Sequence, residues 1–319
     1  MSAATSQERA KDSANARRCP ACGASAREEL GEKNGLGVGA CRECGTLYAR
    51  HREAETEGGE AYDYDAYYHE ANLSIPAFIS RRLDEIFESF APHRKTNRLL
   101  DVGCGAGSLL EAARRAGWDA EGTEVSRPAV EHVGALGFKV FHGELAEAQY
   151  PDDHFDVVTA SEIIEHVPEP LPLLKEIARI LRPGGLFWAT TPHGRGLSAR
   201  VLGIKWSTVS PPEHLQLFTL GGVRGLLKKA GFRTAHITSH GCNPYELRQV
   251  FRRGAGPDGA GIKEQLRAQS AASTERVATS YQLNEALMKN PATRLLKAAL
   301  NGALGAARLG DSIKIRAVK

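Results

Sequence analysis

Residues 99–118 read LLDVGCGAGSLLEAARRAGW, and their order decides the fold. Leu99, Leu100 and Val102 form a short apolar run of the kind that makes a buried strand, ending at Asp101-Val102-Gly103. Gly103, Gly105 and Gly107 follow at alternate positions. They let backbone N–H groups come close to a ligand, with the N-terminus of a helix behind them. That helix repeats apolar residues through Leu109, Leu110, Ala113 and Ala116, and Gly117 stops it. The loop is spaced GxGxG, unlike the GxGxxG of dinucleotide folds, and Asp101 stands just ahead of it. A carboxylate there would repel a pyrophosphate and attract an ammonium or sulfonium.

The same alternation continues outward. Strands are expected near Asp119–Glu124, and at Phe138–Phe141, Phe155–Ala160, Leu186–Thr190 and Arg233–Ser239. Helices are expected near Pro128–Leu136, at Leu171–Leu181 with a stop at Arg182-Pro183-Gly184-Gly185, and near Gly222–Ala230 with a stop at Gly231. Strand–helix alternation means an α/β, Rossmann-like parallel sheet with helices on both faces. Ligands of such sheets bind beyond the carboxyl ends of the strands. Asp101 and Glu124 close two adjacent strands there. Either acid alone reads as a helix cap or surface charge; together they favour a cofactor.

The chain has 319 residues, 42% of them hydrophobic and 25% charged, which makes one large domain or two modest ones. Global disorder, a collagen-like chain and a disulfide-dense scaffold are excluded. Its 41 basic and 38 acidic side chains balance too evenly to make nucleic acid an obligatory partner. No run of 18 or more apolar residues is present, so no transmembrane segment is expected. Residues 1–17 are polar, lack the apolar stretch of a secretory signal and read as a disordered tail. A cytoplasmic location follows as the expectation, and there the six cysteines are not expected to form structural disulfides.

Four of those cysteines make a pattern. Cys19-Pro-Ala-Cys22 and Cys41-Arg-Glu-Cys44 are CxxC knuckles with 18 residues between them, each followed by glycine. The spacing fits a four-cysteine zinc site, structural because all four ligands are protein. A module of ~30 residues cannot bury enough surface to fold alone, so metal would supply the missing stability. A redox pair is the competing reading, but it calls for a single CxxC at a helix start.

With these residues in view, the chain resembles the class I S-adenosylmethionine-dependent methyltransferases. Residues 99–118 match their first motif, and the match continues in order over residues 97–240. Glu124 in AEGTEVS (120–126) stands where such enzymes place an acid for two ribose hydroxyls, with Val125 beside it. Gly143-Glu144-Leu145 resembles the adenine-contacting segment, with Glu where Asp is more usual. FDVVTASEIIEHV (155–167) and LRPGGLFWATTP (181–192) resemble the two motifs that follow. The resemblance implies a seven-stranded sheet whose last strand, Asp311–Val318, runs antiparallel after a helical insertion at about 244–310. It also implies S-adenosylmethionine as cofactor, held by Asp101, Gly103, Gly105, Gly107, Glu124, Val125, Glu144, Leu145, Ser161 and Glu162.

SEIIEHV (161–167) and PPEHLQLFT (211–219) resemble the branch that includes ubiquinone-biosynthesis O-methyltransferases and related small-molecule enzymes. The cysteine-rich front resembles that of bacterial relatives, some acting on sugars. A small-molecule acceptor methylated on a hydroxyl oxygen is the expectation. Methylation of a protein or RNA partner guided by the zinc ribbon, and an idle methyltransferase-like interaction protein, are the alternatives. The Asn/Asp-Pro-Pro-aromatic run of amine-methylating enzymes is absent after the fourth strand, and Asn243-Pro244-Tyr245 comes too late. Hydroxyl methylation needs a base, and histidine titrates near neutrality. His166 and His214 are the candidates, His193 a third; each reads equally as a hydrogen-bonded structural histidine. In the ubiquinone-type enzymes a similar Glu-x-x-Glu-His run is thought to hold a divalent ion, so Glu162, Glu165 and His166 are a candidate cation site. The plainer reading is that Glu165 orients His166.

The flanks complete the organisation. After the zinc ribbon at 18–50, residues 51–95 are expected to form a linker and an N-terminal lid helix, ahead of a methyltransferase domain at 96–319. Tyr62, Tyr64, Tyr67 and Tyr68 precede a helix with Ile75, Ile79, Leu83, Ile86, Phe87 and Phe90 on one face. In related enzymes a tyrosine from this region reaches over the cofactor, and Tyr67 or Tyr68 suits that role; the rings could equally glue the zinc module in place. Residues 245–319 carry 13 basic and 6 acidic side chains and an apolar helical stripe from Leu295 to Ala307. The stripe could pack on the core or form a homodimer, roof the acceptor pocket, or lie on a membrane surface.

Overall fold

The computed structural model describes residues 17–50, 63–68, 77–242 and 290–319. The expectations for the tail before residue 17, the linker at 51–62, Tyr62, Ile75, the side chain of Ile79, Asn243-Pro244-Tyr245 and the insertion as far as residue 289 lie outside the described residues.

The chain enters through β1 (Arg27–Lys33), β2 (Leu36–Cys41) and β3 (Leu47–Ala49), then α1 (Tyr64–Tyr67) and α2 (Ala77–Glu88). Next come β4 (Arg98–Val102), α3 (Ser108–Arg115), β5 (Asp119–Glu124), α4 (Arg127–Ala135), β6 (Lys139–His142), β7 (Phe155–Ser161), α5 (Pro170–Ile180) and β8 (Leu181–Pro192). The last elements are α6 (Leu197–Leu202), β9 (Gln216–Leu217), α7 (Leu220–Lys229), β10 (Thr234–His240), α8 (Pro291–Ala306) and β11 (Ser312–Val318).

Seven strands form one sheet in the order β10-β11-β8-β7-β4-β5-β6. β4 pairs in parallel with both β5 and β7, and the outer pairs β5–β6 and β7–β8 are also parallel. β11 runs antiparallel between β8 and β10. Chain order reverses at the β4–β7 pair, and sheets of this kind bind ligands at such a switch point, beyond the carboxyl ends of the strands.

The alternation of apolar side chains explains why both faces are covered. Leu99, Val157 and Leu186 point to one face, where Phe87, Phe90, Leu109 and Ala112 pack on them. Leu100, Val158 and Phe187 point to the other, against Leu174, Ile177, Val223 and Leu226. Each wholly buried Leu or Phe contributes about 1.5–3 kcal/mol. The described half of α2 therefore belongs to the core; the element beside the glycine loop is α1.

Two findings differ from the sequence reading. α5 does stop at Ile180, but β8 begins at Leu181 and not at Leu186, and Arg182-Pro183-Gly184-Gly185 forms a bulge in it, where pairing jumps from Phe155↔Leu181 to Val157↔Leu186. On α8 only Leu304 of the stripe is buried, while Leu295, Leu296 and Leu300 are exposed.

The bulge has a partner. Asp156 is wholly buried, with its carboxylate accepting from the backbone N–H of Lys95, Thr96 and Asn97 and from Arg182 Nε. Burial alone would raise its pKa, but the guanidinium and the three amides outweigh it and hold the carboxyl below its usual range. Asp156→Asn is expected to cost about 3 kcal/mol in urea unfolding at pH 7. Because the folded pKa is depressed, the wild-type advantage is full above about pH 4 and fades as pH falls below it. A mutant difference that stays constant from pH 7 to pH 3 would refute this account.

Three strands at the N-terminus make a second sheet in the order β1-β2-β3-β9. Its fourth strand comes from far along the chain, pairing Leu47↔Leu217 and Tyr48↔Gln216. Cys19, Ala21, Cys41 and Tyr48 join the main hydrophobic core, so the cysteine-bearing segment is seated on the large sheet's core.

Candidate active site

At the end of β4 the chain turns through Gly103 (φ +66°), Gly105 (+50°) and Gly107 (+83°) before α3 begins. Gly105 must be glycine on two counts. Its φ is left-handed, and the Tyr68 hydroxyl lies 2.5 Å from where a Cβ would stand. Glu124, at the end of β5, is buried and braces the loop. One carboxylate oxygen accepts from Gly105 N (2.9 Å), the other from Val125 N (2.8 Å) and Ser126 N (2.9 Å).

Asp101 is also buried, and Thr159 Oγ1 donates to it at 2.7 Å. Burial first, and the nearby Glu124 charge second, push it up to about 7 against that hydrogen bond. Burial also raises the Tyr68 phenol, with Glu124 and Asp101 among the charges acting on it. The two acids and this tyrosine are thus close enough for their charges to act on one another. α1 is fastened where Asp65 Oδ1 accepts from Arg127 N at the start of α4, and Tyr67 packs edge-on against Tyr68.

Val125 projects an apolar side chain that is 44% exposed at this edge. Glu144 is exposed and caps the short helix that follows it, in a reciprocal arrangement with Glu147, and Leu145 is buried. Ser161 bonds Thr190 Oγ1 at 2.8 Å, and Glu162 adopts a left-handed φ of +56° just beyond β7. Left-handed backbone is uncommon for a residue other than glycine.

The turn after Glu162 brings together residues far apart in sequence. His166 and His214 have ring centroids 4.7 Å apart, and Tyr64 of α1 meets the His166 ring edge-on at 6.2 Å. His166 Nδ1 bonds the Glu213 carbonyl at 2.7 Å, and His214 Nδ1 bonds the Thr208 carbonyl at 2.7 Å. A carbonyl only accepts, so both rings carry their proton on Nδ1 and keep a lone pair on Nε2. Glu165 is fully buried: Thr191 Oγ1 donates to its Oε2 at 2.9 Å, while its Oε1 is buried without a hydrogen-bond partner. Ligand atoms of Glu165, His166 and His214 all lie within 4.8 Å of one another.

Burial, then the neighbouring His214, push His166 down to about 3. Burial and the nearby Glu162 raise Glu165 well above the usual carboxylate range. His193 stands apart, buried and bonded to the Gly310 carbonyl at 2.8 Å. Histidine spacing in the sequence gave no sign that His214 rather than Glu162 would complete the trio.

The four knuckle cysteines also converge. Their sulfurs lie within 4.8 Å of one another, with Cys19–Cys44 and Cys22–Cys41 at 3.5 Å. A tetrahedron with Zn–S bonds of about 2.3 Å has sulfurs about 3.8 Å apart, so the set fits a zinc ion, whereas a disulfide needs about 2.05 Å. Gly23 N and Gly45 N close the two knuckles onto the Cys19 and Cys41 carbonyls, both glycines at positive φ.

The chain has recognisable relatives. A family model described as a methyltransferase domain matches residues 73–237. The ubiquinone biosynthesis O-methyltransferase of Ralstonia nicotianae is 31% identical over 176 residues, covering 51% of this chain and 73% of the relative. That of Aromatoleum aromaticum is 29% identical over 174 residues, covering 50% and 74%. A SAM-dependent methyltransferase structure from Archaeoglobus fulgidus shares the fold, with a TM-score of 0.50 at 18% identity over 81% of this chain and 100% of its own. Among the described residues no helix is long and apolar enough to cross a membrane. The chain belongs to the methyltransferase-domain family and is an S-adenosylmethionine-dependent methyltransferase.

Proposed function

We propose that this enzyme methylates a hydroxyl oxygen of a small-molecule acceptor, with the cofactor over the β4–β5 edge and the acceptor against the Glu165–His166–His214 cluster. One observation carries the reading. One short segment, Tyr64–Tyr68, meets both the glycine loop and the histidine pair, with Tyr68 close to Gly105 and Tyr64 edge-on to His166. The relatives named as O-methyltransferases support oxygen as the methylated atom.

When bound, S-adenosylmethionine supplies an electrophilic methyl on a sulfonium. Asp101 would hold its ammonium and Glu124 its ribose hydroxyls, and Val125, Glu144 and Leu145 would receive the adenine. Ser161, Glu162, Tyr67 and Tyr68 would hold the reacting end. The acceptor hydroxyl must lose its proton. His166, held neutral by burial, orients the acceptor through its Nε2, and His214 takes the proton; charging both rings at this separation is disfavoured. The orphaned Glu165 Oε1 supports a second reading, in which Glu165, His166 and His214 hold a divalent cation that lowers the hydroxyl pKa. Glu162 then acts on Glu165 from outside that set. The four cysteines hold structural zinc.

Incubating cell extract with methyl-labelled cofactor and enzyme tests the reading. Label is expected on a small molecule as a methoxy group, absent with His166→Ala/His214→Ala double variants. Label on protein or RNA alone would overturn it.

The Asp101 pKa gives a second test. Pairing with an ammonium requires the carboxylate, so binding at neutral pH releases a proton. Affinity for S-adenosylmethionine is then expected to tighten about fivefold from pH 6 to pH 7, below the range in which the ligand's own ammonium loses its proton. Calorimetry in buffers of different ionisation enthalpy reads the proton directly. Asp101→Asn should flatten the profile; a wild-type profile already flat would remove Asp101 from cofactor binding.

A further inference from the structure

We propose that Gln216 and Arg17 are positioning residues that clamp segment 164–168, so that the four-cysteine module sets the placement of Glu165 and His166. The inference deepens the proposed function and rests on its reading of this segment as the acceptor side.

Gln216 is 1% exposed. Its Nε2 donates to the carbonyls of Ile164 (2.8 Å) and Val167 (2.7 Å), and its Oε1 accepts from Arg17 Nη2 at 2.7 Å. Arg17 also donates to the Pro168 carbonyl. The backbone N–H groups of Leu215 and Gln216 both donate to the Glu165 carbonyl, at 2.9 and 3.3 Å. The carbonyls of Ile164, Glu165, Val167 and Pro168 are thus all held from one side, and the His166 ring is pinned to Glu213. Nothing in this segment is a regular strand or helix, so these bonds define its path.

Every arm of the clamp is tied to the module. Arg17 lies two residues before Cys19, and its N–H donates to the Arg50 carbonyl at 2.9 Å. Gln216 belongs to β9, the strand that closes the module's sheet through Tyr48. Thr219, which caps α7, donates to the Cys44 carbonyl at 2.7 Å. The module is therefore a buttress of the acceptor side, and losing its metal should loosen His166.

Hydrogen–deuterium exchange on the full zinc-loaded chain tests this without knowledge of the acceptor. The readout amides are His166, bonded to Ile163, and Leu215, bonded to Glu165. Gln216→Leu, Arg17→Met and removal of metal from the cysteines are each expected to speed both by about tenfold or more. In Gln216→Leu and Arg17→Met the β4–β5 amides and affinity for S-adenosylhomocysteine should hold within about twofold, which a general loss of folding would not allow. Gln216→Glu keeps the size and the Arg17 partner but faces oxygens with oxygens. It should match Gln216→Leu, and it should broaden the Nδ1–H signal of His166 in the nitrogen-15 spectrum of labelled histidine. Arg17→Lys should restore part of the protection. Wild-type exchange in the variants overturns the clamp, as does a module that opens on metal loss while His166 stays protected. Metal analysis and calorimetry report the parent readings separately, so their failure is distinguishable, and the variant comparison still decides the clamp.

Discussion

Glu124→Ala is expected to abolish measurable binding of S-adenosylhomocysteine, a fall of at least about a hundredfold. Two losses combine. The ribose hydroxyls lose a carboxylate acceptor, and the glycine loop loses its brace. Gly105, Val125 and Ser126 all donate to Glu124 in the structure, and removing the carboxylate leaves three inward N–H groups without that partner. Each unsatisfied buried donor costs about 1–3 kcal/mol, so the loop should relax before any ligand arrives. Glu124→Gln separates the two effects. One amide oxygen can still serve Val125 and Ser126, but the amide nitrogen then faces the Gly105 N–H, donor against donor. Affinity should fall almost as far while the fold survives, as judged by unchanged far-ultraviolet circular dichroism. Near wild-type affinity in either variant, by calorimetry, would place the cofactor elsewhere.

Much of this edge was legible in the sequence because the information is local. Asp101, three glycines and a helix start lie within a few residues, and a short run of apolar side chains can only be a strand when glycine follows it on schedule. The cysteine knuckles were legible for the same reason, since a glycine after each CxxC fixes the turn. What escaped was set by distance. Gln216 sits 199 residues from Arg17, and β9 is a two-residue strand with no periodicity to detect. Nothing in PPEHLQLFT marks its glutamine as buried; the amide is recognisable only once β3 and segment 164–168 flank it. Likewise the pairing of His166 with His214 depends on how 203–214 folds back over the end of β7. Proline and two glycines mark the stop of α5 at Ile180 correctly, but nothing in them shows that Arg182–Gly185 stay within β8 as a bulge. Here they make room for the Arg182 guanidinium to reach Asp156.

Cys41→Ser is expected to release the metal and destabilise the whole chain, not the front module alone. The cysteines are free of disulfides and seated with Ala21 and Tyr48 in the same core as Phe187 and Ile313 of the large sheet. A four-cysteine zinc site contributes an apparent 10–16 kcal/mol in small peptide modules, and serine is a far weaker ligand than a thiolate. Some of that energy will be recovered by contacts that persist without metal, so a loss of roughly 5 kcal/mol in unfolding free energy is the expectation. The seam decides how the loss is distributed. β3 pairs with β9, and Lys229 Nζ at the end of α7 bonds the Cys22 carbonyl at 3.0 Å. Unfolding the module therefore uncovers the α7 side of the main core, and both transitions should move together in urea followed by tryptophan fluorescence and far-ultraviolet dichroism. Cys104→Ser, which alters a buried thiol of the glycine loop, should keep one zinc per chain by metal analysis. The account fails if protein purified under reducing conditions carries no zinc. It fails equally if Cys41→Ser unfolds at the wild-type midpoint, for then the knuckles would be held together by packing alone.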